Sequence, residues 1–380
     1  MKVLIVSQPG TDGVLRHVEG LVNYLLDHGT ETHLAYSDFT SCDQLFALVN
    51  RVTAAGGQAI NLRVANAPQP ADFQAIGALR SFVRKEKPDV IHAHSSKAGA
   101  LVRGLRLLGV RTPIFYTPHA YYRMHDPASR KARVFHAIER ALGRIGTTIT
   151  MSHCESHFAE TVIGVPLSRQ AVIANGVDCA RFHPPLPEEK RTLREKYGIP
   201  PEAKVLGTVG RLSLQKDPLT TYGALKNALA SAPDLFLLHV GRGELEPEVT
   251  AFIAEQGLAD HCRRIPYLAD PTPLYQMADG FIMASLYEGM SFAVLESLAS
   301  DLPLVLTEAP GNIDFRDFSL SHLHWAKPAD RDSVAAAMLA WRAQLERAEV
   351  CNHRAIALRE FSLESCYSRV VAAYAAAVKP

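Results

Sequence analysis

Long apolar runs are missing from this 380-residue chain. Nowhere does it reach the roughly 18 uninterrupted apolar residues that a membrane-spanning helix needs. Its six cysteines (Cys42, Cys154, Cys179, Cys262, Cys351 and Cys366) form no C-x-x-C pair. That argues against a disulfide or zinc framework and for buried, reduced thiols. There is no low-complexity tract, and 47% hydrophobic against 21% charged residues is the balance of a globular chain, which excludes disorder. The opening MKVLIVSQPGTDG has one lysine and a short apolar run but no small-residue cleavage site, so it reads as a first β-strand and not as a signal peptide. A cytoplasmic protein is expected. Net charge is small too, a formal +1, but it is unevenly spread. Between Lys97 and Arg144 ten Lys/Arg stand against two acids, Asp126 and Glu139, a local +8. Such a stretch is either ordinary solvated helix surface or a basic face for an anionic partner, phospholipid headgroups or a lipid pyrophosphate.

What is present is alternation. Length alone suggests two or three domains, and short β-branched runs alternate with amphipathic stretches, the pattern of βαβ units around a parallel sheet. Strands are expected at 3–7, 32–37, 59–64, 89–94, 113–118, 147–152 and 171–175. After them come 205–210, 235–241, 264–268, 280–285 and 302–308. Leu15, Val18, Leu21, Val22, Leu25 and Leu26 recur at three- and four-residue spacing and predict one helical stripe. The alternation pauses at RFHPPLPEEKR (181–191), where the prolines and a charge run mark a linker. The expected architecture is α/β: two Rossmann-like doubly wound domains, 1–182 and 183–361, facing across a cleft, with 362–380 as a terminal helix.

Several residues sit where ligands bind, at the carboxyl ends of strands. Glu288 follows GFIMASL, Gly289 relaxes the turn, and Ser291 is a plausible N-cap for FAVLESLAS. Glu296 lies about one and a half turns into that helix. Two carboxylates one segment apart suit two vicinal diols, while the amides of Met290, Ser291 and Phe292 suit an anion. Equally, Glu288 could complement a helix dipole and Glu296 be solvated. In VGRLSLQKDP, Arg211 and Lys216 offer a bidentate fork and a mobile point charge after a strand, which suits a diphosphate. Gly241 in VGRGE would let backbone approach a nucleotide base. Gly10 and Gly13 in QPGTDG permit a tight turn at a helix start, without the full G-x-G-x-x-G spacing. His119 in YTPHAYYR follows a strand and gains functional weight from that position.

Metal binding finds little support. The D-x-D at Asp330–Asp332 precedes a helix and reads as its N-terminus. His153 and His157 flank Glu155 without the H-E-x-x-H order, and read as packing or acceptor-pocket lining. His92 and His94 stand at a strand end, where one borders an acceptor. No metal and no cofactor is expected.

In combination these segments resemble the retaining GT-B glycosyltransferases of family 4, the large group that builds bacterial surface polysaccharides. EGMSFAVLES is similar to the E-x7-E motif, GRLSLQKD to the phosphate-binding segment, and IANGVDCARF to the stretch before the interdomain linker. HAHSSKAG and YTPHAY resemble segments of the N-domain. The resemblance implies that Arg211 and Lys216 hold the donor pyrophosphate, that Glu296 binds the ribose and that Glu288 binds the transferred sugar. It gives Gly13 an approach to the donor phosphate, His119 a contact near the reacting centre, and His94, Lys97 and Tyr121 the acceptor side. The terminal helix returns to the N-domain. Two departures stand out: Asp12 replaces the first glycine of the usual Gly-Gly loop, and Asp301 a common glycine, where αL geometry remains open to Asp.

The implied reaction moves a hexose from a UDP- or GDP-linked sugar to a hydroxyl, on a lipid-linked glycan at the inner face of the cytoplasmic membrane. Nucleic acid is not an expected partner. The alternatives are a sugar-nucleotide epimerase of the same architecture and a catalytically idle binding module. An NAD dehydrogenase is disfavoured because the fingerprint spacing and a ribose acid are missing from the first unit.

Overall fold

The computed structural model describes residues 1–8, 12–39, 42–65, 67–124, 127–347 and 350–378. Gly10 of the first loop and Asp126 of the basic stretch lie outside the described residues. The chain divides into two compact units, Met1–Gly176 with Leu363–Pro380, and Val177–Ser362.

The first unit is built on a parallel sheet of β1 (Lys2–Ser7), β2 (Glu31–Tyr36), β3 (Ala59–Asn61), β4 (Val90–His94), β5 (Ile114–Thr117), β6 (Thr147–Thr150) and β7 (Gln170–Val172). Its order is β3-β2-β1-β4-β5-β6-β7. Alternate residues of β1 enter different cores, Val3 and Ile5 one, Leu4 and Val6 the other. A strand buried on both faces needs a continuous apolar run, which is why VLIV is not amphipathic. The helix Asp12–Asp27 packs by its predicted stripe: Leu15, Val18, Leu21, Val22 and Leu25 are buried and Leu26 partly so. The last helix, Leu363–Val378, completes that same core. Its Tyr367 lies over Gly20, where a Cβ would come within 2.4 Å of the phenol oxygen. Its Tyr374 ring meets Phe115 edge-on at 4.9 Å.

The second unit repeats the plan with β8 (Lys204–Val209), β9 (Leu235–Val240), β10 (Cys262–Ile265), β11 (Gly280–Met283), β12 (Leu304–Thr307) and β13 (Leu323–Ala326). They lie in the order β10-β9-β8-β11-β12-β13. Gly280 is required by packing, because a Cβ there would fall 2.2 Å from the Trp341 indole nitrogen.

Three expectations need correction. β13 was not foreseen, since LHWA holds no β-branched residue to advertise a strand; it pairs with β12. The strand expected at 264–268 ends at Ile265, because Pro266 has no N–H for the ladder. The segment 181–191 is not a linker throughout. Pro187 starts the helix Pro187–Lys196, with acids in its first turn and bases in its last to match the helix dipole. Lys190 and Arg194 of this helix each pair with Asp279 at 2.7 Å.

All six cysteines are free thiols. No helix among the described residues is long and apolar enough to cross a membrane. In both sheets the strand order reverses beside the first strand, between β1 and β4 and between β8 and β11. The crevice outside the carboxyl ends at such a reversal is where open α/β sheets bind ligands.

Candidate functional site

In the second unit, the loop after β8 carries Arg211 and Lys216 and the loop after β11 carries Glu288. Their strands are neighbours, so residues 72 apart in sequence meet: Lys216 Nζ donates to Glu288 Oε1 at 2.6 Å. Both groups are largely buried, the lysine side chain 20% and the glutamate 7% exposed. The aliphatic part of Lys216 lies against Gly210, where a Cβ would be 3.4 Å from three of its carbons. The two loops are tied by Leu286 N–H donating to Gln215 O (2.8 Å) and by Gln215 Nε2 donating to Tyr287 O (3.0 Å). Glu288 N–H donates to Pro310 O at 2.8 Å. Gly311, at φ +86°, passes so close that a Cβ would be 2.5 Å from Glu288 O. The pair is therefore held by backbone from three loops before any ligand arrives. Arg211 is exposed and has no carboxylate partner among the described residues, which leaves its charge available to an anion.

Beyond Gly289 and the buried Met290, the helix Phe292–Ala299 begins. Ser291 occupies its N-cap position, but its side chain makes no capping bond, contrary to expectation. Glu296 is 1% exposed and its Oε2 accepts from the Tyr275 hydroxyl at 2.6 Å. It is not a solvated surface acid. Tyr275 had no sequence signal of its own, because it reaches Glu296 from another helix, Thr272–Met277. Gly241 is indeed a close-approach glycine, but the backbone it approaches is the protein's own. At φ +149°, a Cβ there would fall 1.9 Å from Gly210 O.

The first unit carries a cluster of imidazoles. His94 ends β4, His119 follows β5, and His17 lies in the first helix. His94 Nδ1 and His119 Nε2 are 3.1 Å apart, and His17 Nδ1 is 2.8 Å from Asn175 Oδ1. Nitrogens of these three rings lie within 4.8 Å of one another. Burial lowers the His17 pKa to about 4, against the opposing hydrogen bond to Asn175. Burial first, then the neighbouring imidazoles, also pushes His94 and His119 well below the usual histidine range. All three are neutral at pH 7. Three neutral imidazoles could hold a zinc or copper ion; in the protein as it stands, His94 and His119 bond to each other.

His119 and Ala120 both have left-handed backbone, at φ +58° and +73°. Such geometry costs L-residues about 1–2 kcal/mol each. Glu155 holds it in place. The residue is fully buried, with Oε1 accepting from Ala120 N–H and Oε2 from Met151 N–H, both at 2.7 Å. Reading His153 and His157 as the residues of interest missed Glu155, although Ser152 and Glu155 form the S-x-x-E spacing that marks a helix start, and Ser152 Oγ does accept from Glu155 N–H. Ala120→Gly is accordingly expected to raise stability by up to about 1 kcal/mol. The same change at exposed, helical Ala137 should lower it by about 1 kcal/mol. Urea unfolding midpoints of the two variants check the contrast.

Two of the residues assigned to an acceptor make contacts within the first unit. Lys97 Nζ bonds Asp72 at 2.6 Å and Ala67 O at 2.8 Å, and Tyr121 is buried against Phe158. The basic stretch 97–144 is likewise not one face. Arg103 is buried, paired with Glu139 at 2.8 Å and stacked 3.9 Å from the Tyr116 ring centre. Gly13 is exposed in the first turn of its helix.

Comparison with known proteins bears on these two units separately. Residues 11–181 match the model of Glycosyltransferase Family 4, and residues 189–355 that of Glycosyl transferases group 1. The chain is 30% identical over 247 residues to the UDP-Gal:alpha-D-GlcNAc-diphosphoundecaprenol alpha-1,3-galactosyltransferase of Escherichia coli, covering 63% of each chain. It is 24% identical to the putative glycosyltransferase EpsD of Bacillus subtilis, over 64% of this chain and 65% of that one. These matches thus span a little under two thirds of the relatives' lengths. Among solved structures, a glycosyltransferase from Rickettsia africae superposes with a TM-score of 0.81 at 17% identity, over 100% of this chain and 98% of that one. Anabaena HepE in complex with UDP does so with 0.80 at 18% identity, over 99% and 100%. The fold is GT-B. With one family model on each unit and relatives of the same kind, the chain belongs to the family 4 glycosyltransferases.

Proposed function

We propose that this protein transfers a hexosyl group, with retention, from a nucleotide-diphosphate sugar to a hydroxyl of a lipid-linked glycan in cell-surface polysaccharide assembly. The observation that carries this reading is the Lys216–Glu288 pair beside exposed Arg211 at the strand-order reversal of the second sheet. The Escherichia coli relative, a galactosyltransferase named for a UDP-Gal donor and a GlcNAc-diphosphoundecaprenol acceptor, supports a UDP-sugar donor and a diphosphoprenol-linked acceptor, and the UDP complex of HepE supports a uridine donor. By the same reading the protein works at the inner face of the cytoplasmic membrane.

In this reaction the bond from the anomeric carbon to the β-phosphate oxygen breaks, and negative charge gathers on the departing diphosphate. Arg211 and Lys216 neutralise it, helped by the amides of Met290, Ser291 and Phe292 before a helix. The acceptor oxygen bonds to the anomeric carbon on the face the diphosphate leaves, and its proton passes to the leaving phosphate. No side chain acts as nucleophile. Glu288 positions a sugar hydroxyl while anchoring Lys216, and Glu296 takes the ribose diol.

A thermal-shift screen of UDP- and GDP-sugars tests the reading. One of them should raise the melting temperature, by the equivalent of about 2.7 kcal/mol at a hundred times its Kd, and Lys216→Ala should reduce the shift without removing it. Rapid isomerisation of the donor without acceptor would favour an epimerase, and silence across the panel would leave an idle module.

A further inference from the structure

The imidazole cluster of the first unit has ligating capacity that its own hydrogen bonds leave unused. His17 Nδ1 lies 2.8 Å from Asn175 Oδ1. An amide oxygen only accepts, so His17 carries its proton on Nδ1 and presents a bare lone pair at Nε2. That nitrogen is buried and has no hydrogen-bond partner among the described residues, and the same holds for the buried Nε2 of His94. Buried polar atoms are normally paired, so two orphans in one cluster point to a ligand that supplies what they lack. His94 Nδ1 and His119 Nε2 face each other at 3.1 Å and share one proton. Zinc–imidazole bonds of about 2.0–2.1 Å place tetrahedral ligand nitrogens about 3.3–3.4 Å apart. The His94–His119 spacing is already near that value. With a nitrogen from each of the three rings within 4.8 Å of the others, closing the set takes a shift of about 1.5 Å at most. His92 stands beside them, its ring centre 4.0 Å from that of His94. Both its nitrogens are engaged, by the Tyr374 hydroxyl at 2.5 Å and Thr117 Oγ1 at 2.8 Å, so it backs His94 and is not a ligand.

We propose that His17, His94 and His119 form a three-histidine site for a divalent transition-metal ion of the zinc class, with Asn175 orienting His17 through its Nδ1–H. The rings are neutral at pH 7 because burial keeps them so. The proton shared by His94 and His119 therefore only has to move to the far nitrogen of its own ring. Partial exposure of His119 gives the ion a way in and leaves its fourth position to water. Imidazole donors select first-row ions such as zinc, copper and nickel over magnesium and calcium, which prefer oxygen. The members come from a helix and two strand ends, a spacing that no sequence motif marks, and they are the one such group among the described residues. All the ligands belong to the first unit, so the site stands or falls independently of the donor reading.

The experiment uses the untagged full chain, stripped with EDTA and desalted. Titration with ZnCl2 against a chromophoric chelator should show one equivalent bound. That equivalent should raise the melting temperature by mass action, and MgCl2 should not. CoCl2 should give the visible bands of a four-coordinate nitrogen and oxygen site. It should lack the near-ultraviolet thiolate band that binding to the free cysteines would produce. His17→Gln and Asn175→Ala should each weaken zinc binding by about tenfold or more, whereas Asn175→Asp, which keeps the acceptor, should bind at least as tightly as wild type. No zinc uptake, a six-coordinate or thiolate cobalt spectrum, or unchanged affinity in His17→Gln overturns the proposal. An equal loss in both Asn175 variants overturns the part given to Asn175. If His17→Gln does not fold, the wild-type cobalt spectrum and the Asn175→Ala titration decide, and unchanged zinc affinity in Asn175→Ala then counts against the site.

Discussion

Lys216→Ala is expected to lower turnover about 10²–10³-fold while the protein still folds. Losing one preorganised group aimed at developing negative charge costs about 3–4 kcal/mol in comparable oxyanion sites. The charge on the diphosphate grows as the glycosidic bond breaks, so the loss should fall more on kcat than on KM. One complication is built into the pair. Removing the ammonium strands the Glu288 carboxylate, only 7% exposed, and a buried charge without its partner destabilises the fold. The double variant Lys216→Met with Glu288→Gln separates the effects, because it removes both charges at once. It should recover most of the lost melting temperature and none of the lost turnover. Lys216→Arg keeps the charge but not the compact geometry, and should lie between. Steady-state kinetics beside thermal melts decide the matter. Turnover within about threefold of wild type in Lys216→Ala would remove Lys216 from the mechanism.

Acid should unfold the first unit ahead of the second. His17 has its pKa lowered to about 4 by burial, and His92, His94 and His119 are pushed well below the usual range by burial and by one another. No carboxylate among the described residues is hydrogen-bonded to these rings. Their hydrogen bonds go to Asn175, Tyr374, Thr117 and each other. An unfolded histidine titrates near 6.5. Below that pH the unfolded chain binds protons that the native cluster refuses, so the cluster's contribution is complete above about 6.5. It is lost as pH falls toward the folded values, about 4 for His17. Each such group removes up to about 1.4 kcal/mol per pH unit in that window. The second unit has His239 and His353, also lowered to about 4 by burial, but no equivalent cluster among its described residues. Hydrogen exchange followed by mass spectrometry at pH 7 and 5 should show protection in β1 and β4 falling more than in β8 and β9. Equal protection at both pH values would contradict the buried neutral state.

Much of this was legible in one dimension because it is local. VLIV announces a strand covered on both faces, Leu15 to Leu26 a helix lying on a sheet, and Asp330 a helix start, where its carboxylate does accept from Ser333 N–H at 2.9 Å. Asp301 stands at φ +57°, the αL geometry expected of it. The motifs around Arg211, Lys216, Glu288 and Glu296 could be read as candidates for the same reason, since each is a short run at a strand end.

Partnership was not legible. That Lys216 bonds Glu288 depends on β11 lying beside β8, a choice of strand order that hydrophobic periodicity does not encode. Tyr275 on Glu296, Glu155 beneath Ala120, and the inward turn of Lys97, Arg103 and Tyr121 are likewise contacts between distant segments. A charged or polar side chain looks the same in sequence whether water or a buried partner surrounds it. The sequence by itself determined the alternating elements, two parallel-sheet units and the residue types at the strand ends. Tertiary structure alone decided which of those residues meet and which are spent inside the fold, because burial and pairing energies come from neighbours that only the packed chain supplies.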